Sequence, residues 1–342
     1  MRDHRRALHR AVLLRLALIP FTLLGVGFLT FLLLDLVPLD RAEVEVAGAP
    51  RVTTEVQRIE AVRALRERYG LVDPVTGERH GVLTRFGHWL EHAARLDFAP
   101  PGRTAAEFQD SLLRALSTSM LLGSLALALV LAIGVPLGWW LGRRTGSLTD
   151  RAASTALLGV GAMPDFLVAT LTILLFSGPL RSLLPTDGLR SPGADALGPF
   201  EQIVDLARHL ALPVVVLAIG PTTWVTRLLR ASCAATSRAG FVHTMRALGA
   251  SEREIARRIL RNSLGPLWTF LGVLLPWIAT GALVVENVFG ISGFGRLALQ
   301  AISDRDVSTV MVSTLLVATA VALGGLCGDL MHRHADPRVR LR

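Results

Sequence analysis

The stretch 241-FVHTMRALGASEREIARRILRNSLGPL-267 carries seven charged residues and a central glycine, yet apolar runs long enough to cross a membrane flank it. It reads like the surface of a soluble protein set into a greasy chain. Phe241 to Leu248 and Glu252 to Leu264 both carry helical patterns, and Gly249 separates them. Glycine accepts the positive φ that a sharp reversal between two helices requires. Ser251 is placed to cap the second helix, with Glu252 and Glu254 in its first turn and Arg257, Arg258 and Arg261 toward its end, an order that complements the helix dipole. Ile255, Ile259 and Leu260 offer one apolar face. The predicted unit is a short helix–turn–helix outside the bilayer, suited to dock into a groove on another protein. A basic loop lying on anionic lipid is the alternative reading.

Composition sets the frame around this segment. Of 342 residues, 51% are hydrophobic and only 18% charged, against about a quarter charged in a soluble domain. All 36 basic residues are arginine. Without lysine the chain cannot carry Schiff-base chemistry or a P-loop ending in Gly-Lys-Ser/Thr, so it is not a standard P-loop ATPase. Cys233 and Cys327 are isolated, show no metal-ligand spacing, and read as small apolar wall residues. The net charge of +9 is explained by arginines on alternate membrane-flanking loops rather than by nucleic acid.

A hydrocarbon core of ~30 Å needs ~20 apolar residues in a helix. Six segments qualify, about 11–37, 115–141, 153–177, 209–233, 265–286 and 308–330. The first follows MRDHRRALHR and mimics a secretory signal, but its length and its VPLD ending mark a retained span. The intervening charges alternate. Residues 1–15, 142–152, 227–262 and 329–342 are net positive, the third carrying eight arginines against Glu252 and Glu254. Residues 38–114, 178–206 and 286–306 are net negative. The positive-inside rule then puts both termini and the 241–267 stretch in the cytoplasm. Trp139 and Trp140, just before Arg143 and Arg144, fit an aromatic belt on that side.

The expected organisation is an all-α polytopic membrane protein: an N-terminal segment and first span over 1–37, an extracytoplasmic insert over 38–114, and a core over 115–342 with five further spans. Within the insert, 53–69 and 80–95 read as short amphipathic helices, whereas 185–199 is turn-rich.

The quoted run closely resembles the cytoplasmic coupling loop of binding-protein-dependent ABC importer permeases of the dipeptide/oligopeptide/nickel family. The family pattern is aromatic-Val-x-Thr-x-Arg-Ala-x-Gly-x-Ser-Glu, then Leu-Arg-Asn-x-Leu-x-Pro. It falls here on Phe241, Val242, Thr244, Arg246, Ala247, Gly249, Ser251 and Glu252, then Leu260, Arg261, Asn262, Leu264 and Pro266. Where the wider class has Glu-Ala-Ala ahead of the glycine, this chain has His243-Thr244-Met245. YGLVDP (69–74), VVENVFGISGFGRL (284–297) and DPRVR (336–340) resemble further family motifs in the same order. Ser292 replaces a usual proline, and LDFAPPGR (96–103) is a reduced form of another element.

The resemblance implies a type I ABC importer permease fold with six transmembrane helices in a bacterial cytoplasmic membrane. The coupling loop would span 238–264, with Leu248 beside Gly249 among its docking residues. The implied partners are a second homologous permease, two ATPase subunits and an extracytoplasmic substrate-binding protein, besides membrane lipid. ATP and Mg would be bound by the ATPase subunits, leaving no cofactor and no enzymatic chemistry to this chain. The cargo would be peptides or related small solutes such as metal chelates.

Two other function classes fit less well. A secondary transporter usually carries several intramembrane charges and an inverted repeat; here the candidates are chiefly Asp35, Asp165 and Glu286. An intramembrane serine protease would use Ser292 in GISG, but a histidine base is not expected within reach. Asp165, in 159-GVGAMPDFLVAT-170, falls near the predicted midplane of its span, where an acid is costly and should face a bundle interior or a watery pathway. Met163, Asp165, Phe166 and Glu286 are therefore the candidate pathway residues. A carboxylate hydrogen-bonded to a neighbouring helix is the plainer reading of Asp165. Asp35 and Glu286 also read as hydrated or loop-bonded outer-end residues.

Overall fold

The computed structural model describes residues 2–36, 43, 46, 55–68, 72, 81–95, 98, 104–178, 180, 183–280 and 282–335. Their regular elements are helices: α1 (Arg2–Asp35), α2 (Glu55–Arg68), α3 (Val82–Ala94), α4 (Ala105–Arg143), α5 (Leu148–Gly161), α6 (Asp165–Ser177), a 3-10 turn (Ala194–Ala196), α7 (Pro199–Ser237), α8 (Gly240–Ala247), α9 (Glu252–Ser263), α10 (Gly265–Thr280), α11 (Leu283–Val288), α12 (Phe294–Ser303) and α13 (Val307–Ala335). The motifs at 69–74, 96–103 and 336–340 lie largely outside the described residues.

Four of these helices are long and apolar enough to cross a membrane: Leu13–Asp35 of α1, α4, α7 and Val307–Met331 of α13. A fifth is counted if α5 and α6 form one broken span. One of the six expected spans therefore differs from a straight helix among the described residues. The segment 153–177 breaks, with α5 and α6 meeting at 91°. Pro164 lacks the N–H that would continue the ladder and excludes its predecessor from helical geometry, so the chain leaves the helix at Ala162 and restarts at Asp165. In the segment 265–286 the described residues form α10, 16 residues up to Thr280, and Gly281 lies outside the described residues. A separate short helix, α11, follows it.

The chain forms two compact units, 1–116 with 296–322, and 117–295 with 323–342. In the first, Phe28 and Phe31 of α1 meet Phe86 of α3 edge-on at 5.2 and 5.6 Å between ring centres, and Met311 completes this small core. Asp35, the last residue of α1, accepts a hydrogen bond from Arg85 of α3. The helix expected near 53–69 forms as α2, with Val62 and Leu65 half-buried and Val56 and Ile59 exposed.

The second unit is built on α7. Leu122, Val130, Val216, Val225, Leu274 and Val285 belong to one buried cluster. Close approach of α4 and α7 depends on glycine. Gly134, Gly138 and Gly142 recur every fourth residue along one side of α4, and a Cβ at Gly138 would stand 2.7 Å from the Thr226 carbonyl oxygen. Small residues at this spacing let two membrane helices pack backbone to backbone.

The glycine-rich stretch 290–295 folds back into protein, as buried non-helical backbone in a membrane must. Phe289, Ile291 and Phe294 are all buried there, and Gly188 donates to the Phe289 carbonyl at 2.9 Å.

Candidate functional site

The predicted helix–turn–helix is present as α8 and α9, with bounds within a residue or so of the sequence reading. Its turn is a Schellman motif. Gly249 has φ +76°, the Ala250 N–H donates to the Met245 carbonyl and the Gly249 N–H to the Arg246 carbonyl, each at 3.0 Å. These two bonds satisfy carbonyls that the end of α8 would otherwise leave unpaired. A residue with a Cβ would pay about 1–2 kcal/mol for that left-handed conformation.

The start of α9 is a capping box. Ser251 Oγ accepts from the Glu254 N–H at 3.3 Å, and the Ser251 N–H donates back to the Glu254 carboxylate at 2.9 Å. The hydrogen bonds from the Ser251 N–H and hydroxyl hold the Glu254 carboxyl below its ordinary range. Glu252 pairs with Arg246 at 3.2 Å across the turn, both side chains exposed; such surface pairs add little.

An eight-residue helix is unstable alone, so α8 depends on its seat. Val242, Ile255 and Ile259 are buried with Cys233 of α7, and Trp139, Phe241, Met245 and Ala250 pack against them. Each buried aliphatic side chain contributes about 1.5–3 kcal/mol, enough to hold the loop on the end of α4 and α7. The site residues from the sequence thus divide. Val242 is a buried anchor and Phe241 half-buried, whereas Thr244, Arg246, Ala247, Leu248, Gly249, Ser251 and Glu252 are exposed. Leu248, at the tip, is 81% exposed. A seated inner face with a bare outer face is the form of a docking element.

An ion pair with no local sequence signal holds this platform. Asp150, fully buried near the start of α5, accepts two hydrogen bonds from the Arg230 guanidinium of α7, that from Nη2 at 2.7 Å, and one from the Gly146 N–H at 2.8 Å. Asp150 and Arg230 are 80 residues apart, so no local pattern pairs them. Trp139, expected as an aromatic-belt residue, packs into the seat of α8 and α9. Cys233 is the buried wall residue expected, but Cys327 is exposed. The glycine spacing on α4 was the one visible signal of the α4–α7 contact.

The candidate pathway residues separate into two places. Met163, Asp165 and Phe166 surround the α5–α6 break and are all exposed in the isolated chain. Asp165 is the first residue of α6 rather than a mid-helix position, with Oδ1 3.9 Å from where a Cβ on Gly220 of α7 would sit. Glu286 does not join them. It is fully buried, takes a hydrogen bond from Ser119 Oγ, and lies so close over Gly293 that no Cβ fits there. Ser119 Oγ in turn accepts from the Phe294 N–H at 2.8 Å. Glu286 therefore fastens the fold-back to α4; it is neither hydrated nor on an open surface.

Long apolar helices, a helix broken at a proline beside an exposed acid, and a helical loop seated between α7 and α10 define the class: an all-helical polytopic membrane protein. Residues 134–341 match the family model for the binding-protein-dependent transport system inner membrane component. Over 325 residues the chain is 31% identical to a putative peptide permease of Brucella ovis, covering 93% of this chain and 95% of that one. Over 324 residues it is 30% identical to the dipeptide transport system permease of Bacillus subtilis, covering 94% of each. An oligopeptide transport system permease of Mycobacterium tuberculosis is 32% identical over 274 residues, 76% of this chain and 81% of that one. The fold is similar to that of a chain in inward-facing structures of the MetNI methionine ABC transporter, at a TM-score of 0.50 and 17% identity, over 67% of this chain and 98% of that one.

The chain belongs to the family of binding-protein-dependent ABC importer permeases. It is a multi-pass inner-membrane transport subunit rather than an enzyme, and the family works with ATPase and substrate-binding partners.

Proposed function

We propose that this chain forms half of the translocation pathway of an ATP-driven importer for peptides or related small solutes such as metal chelates. A second, homologous permease supplies the other half. Two cytoplasmic ATPase subunits bind ATP and Mg, one of them receiving the 238–264 loop, and an extracytoplasmic binding protein delivers cargo. The observation that carries this reading is the coupling loop: an inner face seated on α4 and α7, a glycine-closed turn, and a bare outer face of Thr244, Arg246, Ala247 and Leu248. Likeness to peptide permeases over nearly the whole chain supports the cargo class.

In this reading six segments embed in the membrane, with α5–α6 and α10–α11 as interrupted spans and both termini cytoplasmic. Residues 1–37, 38–114 and 115–342 form the first span, the outer insert and the core. Cysteines at Thr76 and Asp195 then react with an impermeant reagent from outside, and those at Gly146 and Ser251 only after permeabilisation. Labelling of Ser251 in intact cells overturns the orientation.

The pathway is lined at the α5–α6 break by Met163, Asp165 and Phe166, where Asp165 meets a cationic group such as a peptide amino terminus. Support comes from the exposure of an acid at the break, a position that favours a watery pathway. Asp165→Asn keeps size and hydrogen bonding, so import of cationic substrates falls while assembly and basal ATP hydrolysis persist. Unchanged import across differently charged substrates leaves Asp165 a structural residue. Import by the reconstituted complex stops with vanadate and survives collapse of the ion gradient; the reverse result identifies a secondary transporter.

A further inference from the structure

The end of α4 carries two indole–guanidinium stacks side by side. Arg143 lies over the ring of Trp139 at 5.4 Å and Arg144 over that of Trp140 at 4.4 Å. Each pair is four residues apart, so one helical turn presents both. Among the described residues neither arginine makes an ion pair. Stacking occupies one face of a guanidinium and leaves its in-plane N–H donors free, the geometry that grips a phosphate.

The turn behind them is held rather than loose. Thr145 Oγ1 donates to the Gly142 carbonyl at 2.8 Å, Gly146 adopts φ +88° with its N–H on Asp150, and Ser147 caps α5. Apolar surface adjoins the charges: Trp140 is 40% and Leu148 83% exposed. A phosphate-binding fork beside apolar side chains, at the end of a 39-residue membrane-length helix, matches the chemistry of a phospholipid at the bilayer interface.

We propose that Trp139, Trp140, Arg143 and Arg144 form a binding site for the headgroup phosphate of an anionic phospholipid, and that its occupancy steadies the coupling loop. The second part follows from Trp139, which carries Arg143 on its ring while packing against the core of Val242, Ile255 and Ile259. A headgroup on Arg143 is thus one side chain from the seat of α8. The inference rests on the reading of this end of α4 as cytoplasmic, where anionic lipid is concentrated.

The test uses the complete transporter in phosphatidylcholine bilayers with a minor fraction of phosphatidylglycerol, with retained lipid counted by native mass spectrometry. The wild type retains phosphatidylglycerol. Arg143→Gln with Arg144→Gln weakens that retention about 10-fold or more, since each interfacial arginine contributes appreciably to anionic-lipid affinity, while melting in neutral detergent is unchanged. Arg151→Gln, an exposed arginine outside the stacks, keeps full retention. Equal retention in wild type and double variant overturns the site, as does an equal loss in Arg151→Gln, which reports only diffuse charge. Lost ATPase co-purification without lost lipid assigns the pair to the ATPase subunit and overturns it as well. An impermeant label reaching a cysteine at Gly146 in intact cells overturns the orientation and the cytoplasmic part of the inference; lipid loss confined to the double variant still establishes the headgroup contact.

Discussion

Asp150 holds three structural features at once: the turn after α4, the start of α5 and the end of α7. Its carboxylate takes a two-pronged hydrogen bond from Arg230 and a third from the Gly146 backbone. Removing one member of such a pair leaves the other charge uncompensated, which costs more than the pair itself contributes. Asp150→Ala is therefore expected to lower stability by about 3 kcal/mol, measured by thermal unfolding in detergent. Asp150→Leu with Arg230→Met is expected to lose markedly less. A double variant as unstable as the single one shows that packing, not charge, sets the cost. Glu286 illustrates the same economy elsewhere, a buried acid whose partner Ser119 is 167 residues away.

At the scale of elements, the proposed coupling loop is two short helices with strong termini. Gly249→Val places a β-branched side chain at φ +76°, a conformation such residues rarely adopt. It is expected to distort the turn, leave membrane insertion intact, and uncouple ATP hydrolysis from import. Wild-type transport and wild-type ATPase stimulation in this variant contradict the placement of the turn. The capping box of α9 adds a pH dependence with a definite sign. Glu254 is held below its ordinary range by the hydrogen bonds from Ser251, so its stabilisation is complete above the ordinary glutamate pKa and is lost as pH falls through the depressed value. Amide exchange over 252–256, corrected for intrinsic rate, should show α9 protected at neutral pH and loosened in acid. Glu254→Gln should remove that dependence; an unchanged acid transition in this variant assigns it to another group.

Across the whole molecule, what the sequence made legible was local. The α8–α9 turn was readable because cap, glycine and charge order lie within a dozen residues of one another. Pro164 is a local signal of the break between α5 and α6, which meet at 91° and lie against α7, where Thr223 is too close to Gly161 for a Cβ. Asp165, read near the middle of its span, is the first residue of the helix after the break. The burial of Glu286 likewise rests on Ser119 and Gly293, which no periodicity joins to it. Contacts across many residues leave no periodic trace, and the glycine spacing on α4 is the exception. The central claim, that the outer face of α8 meets an ATPase subunit in the cytoplasm, is tested most directly by a photo-activated crosslinker at position 248 and, as control, at position 195. Capture of the ATPase subunit is expected from 248 and none from 195. Capture from 195, or from neither position in a complex that still hydrolyses ATP on substrate delivery, contradicts it.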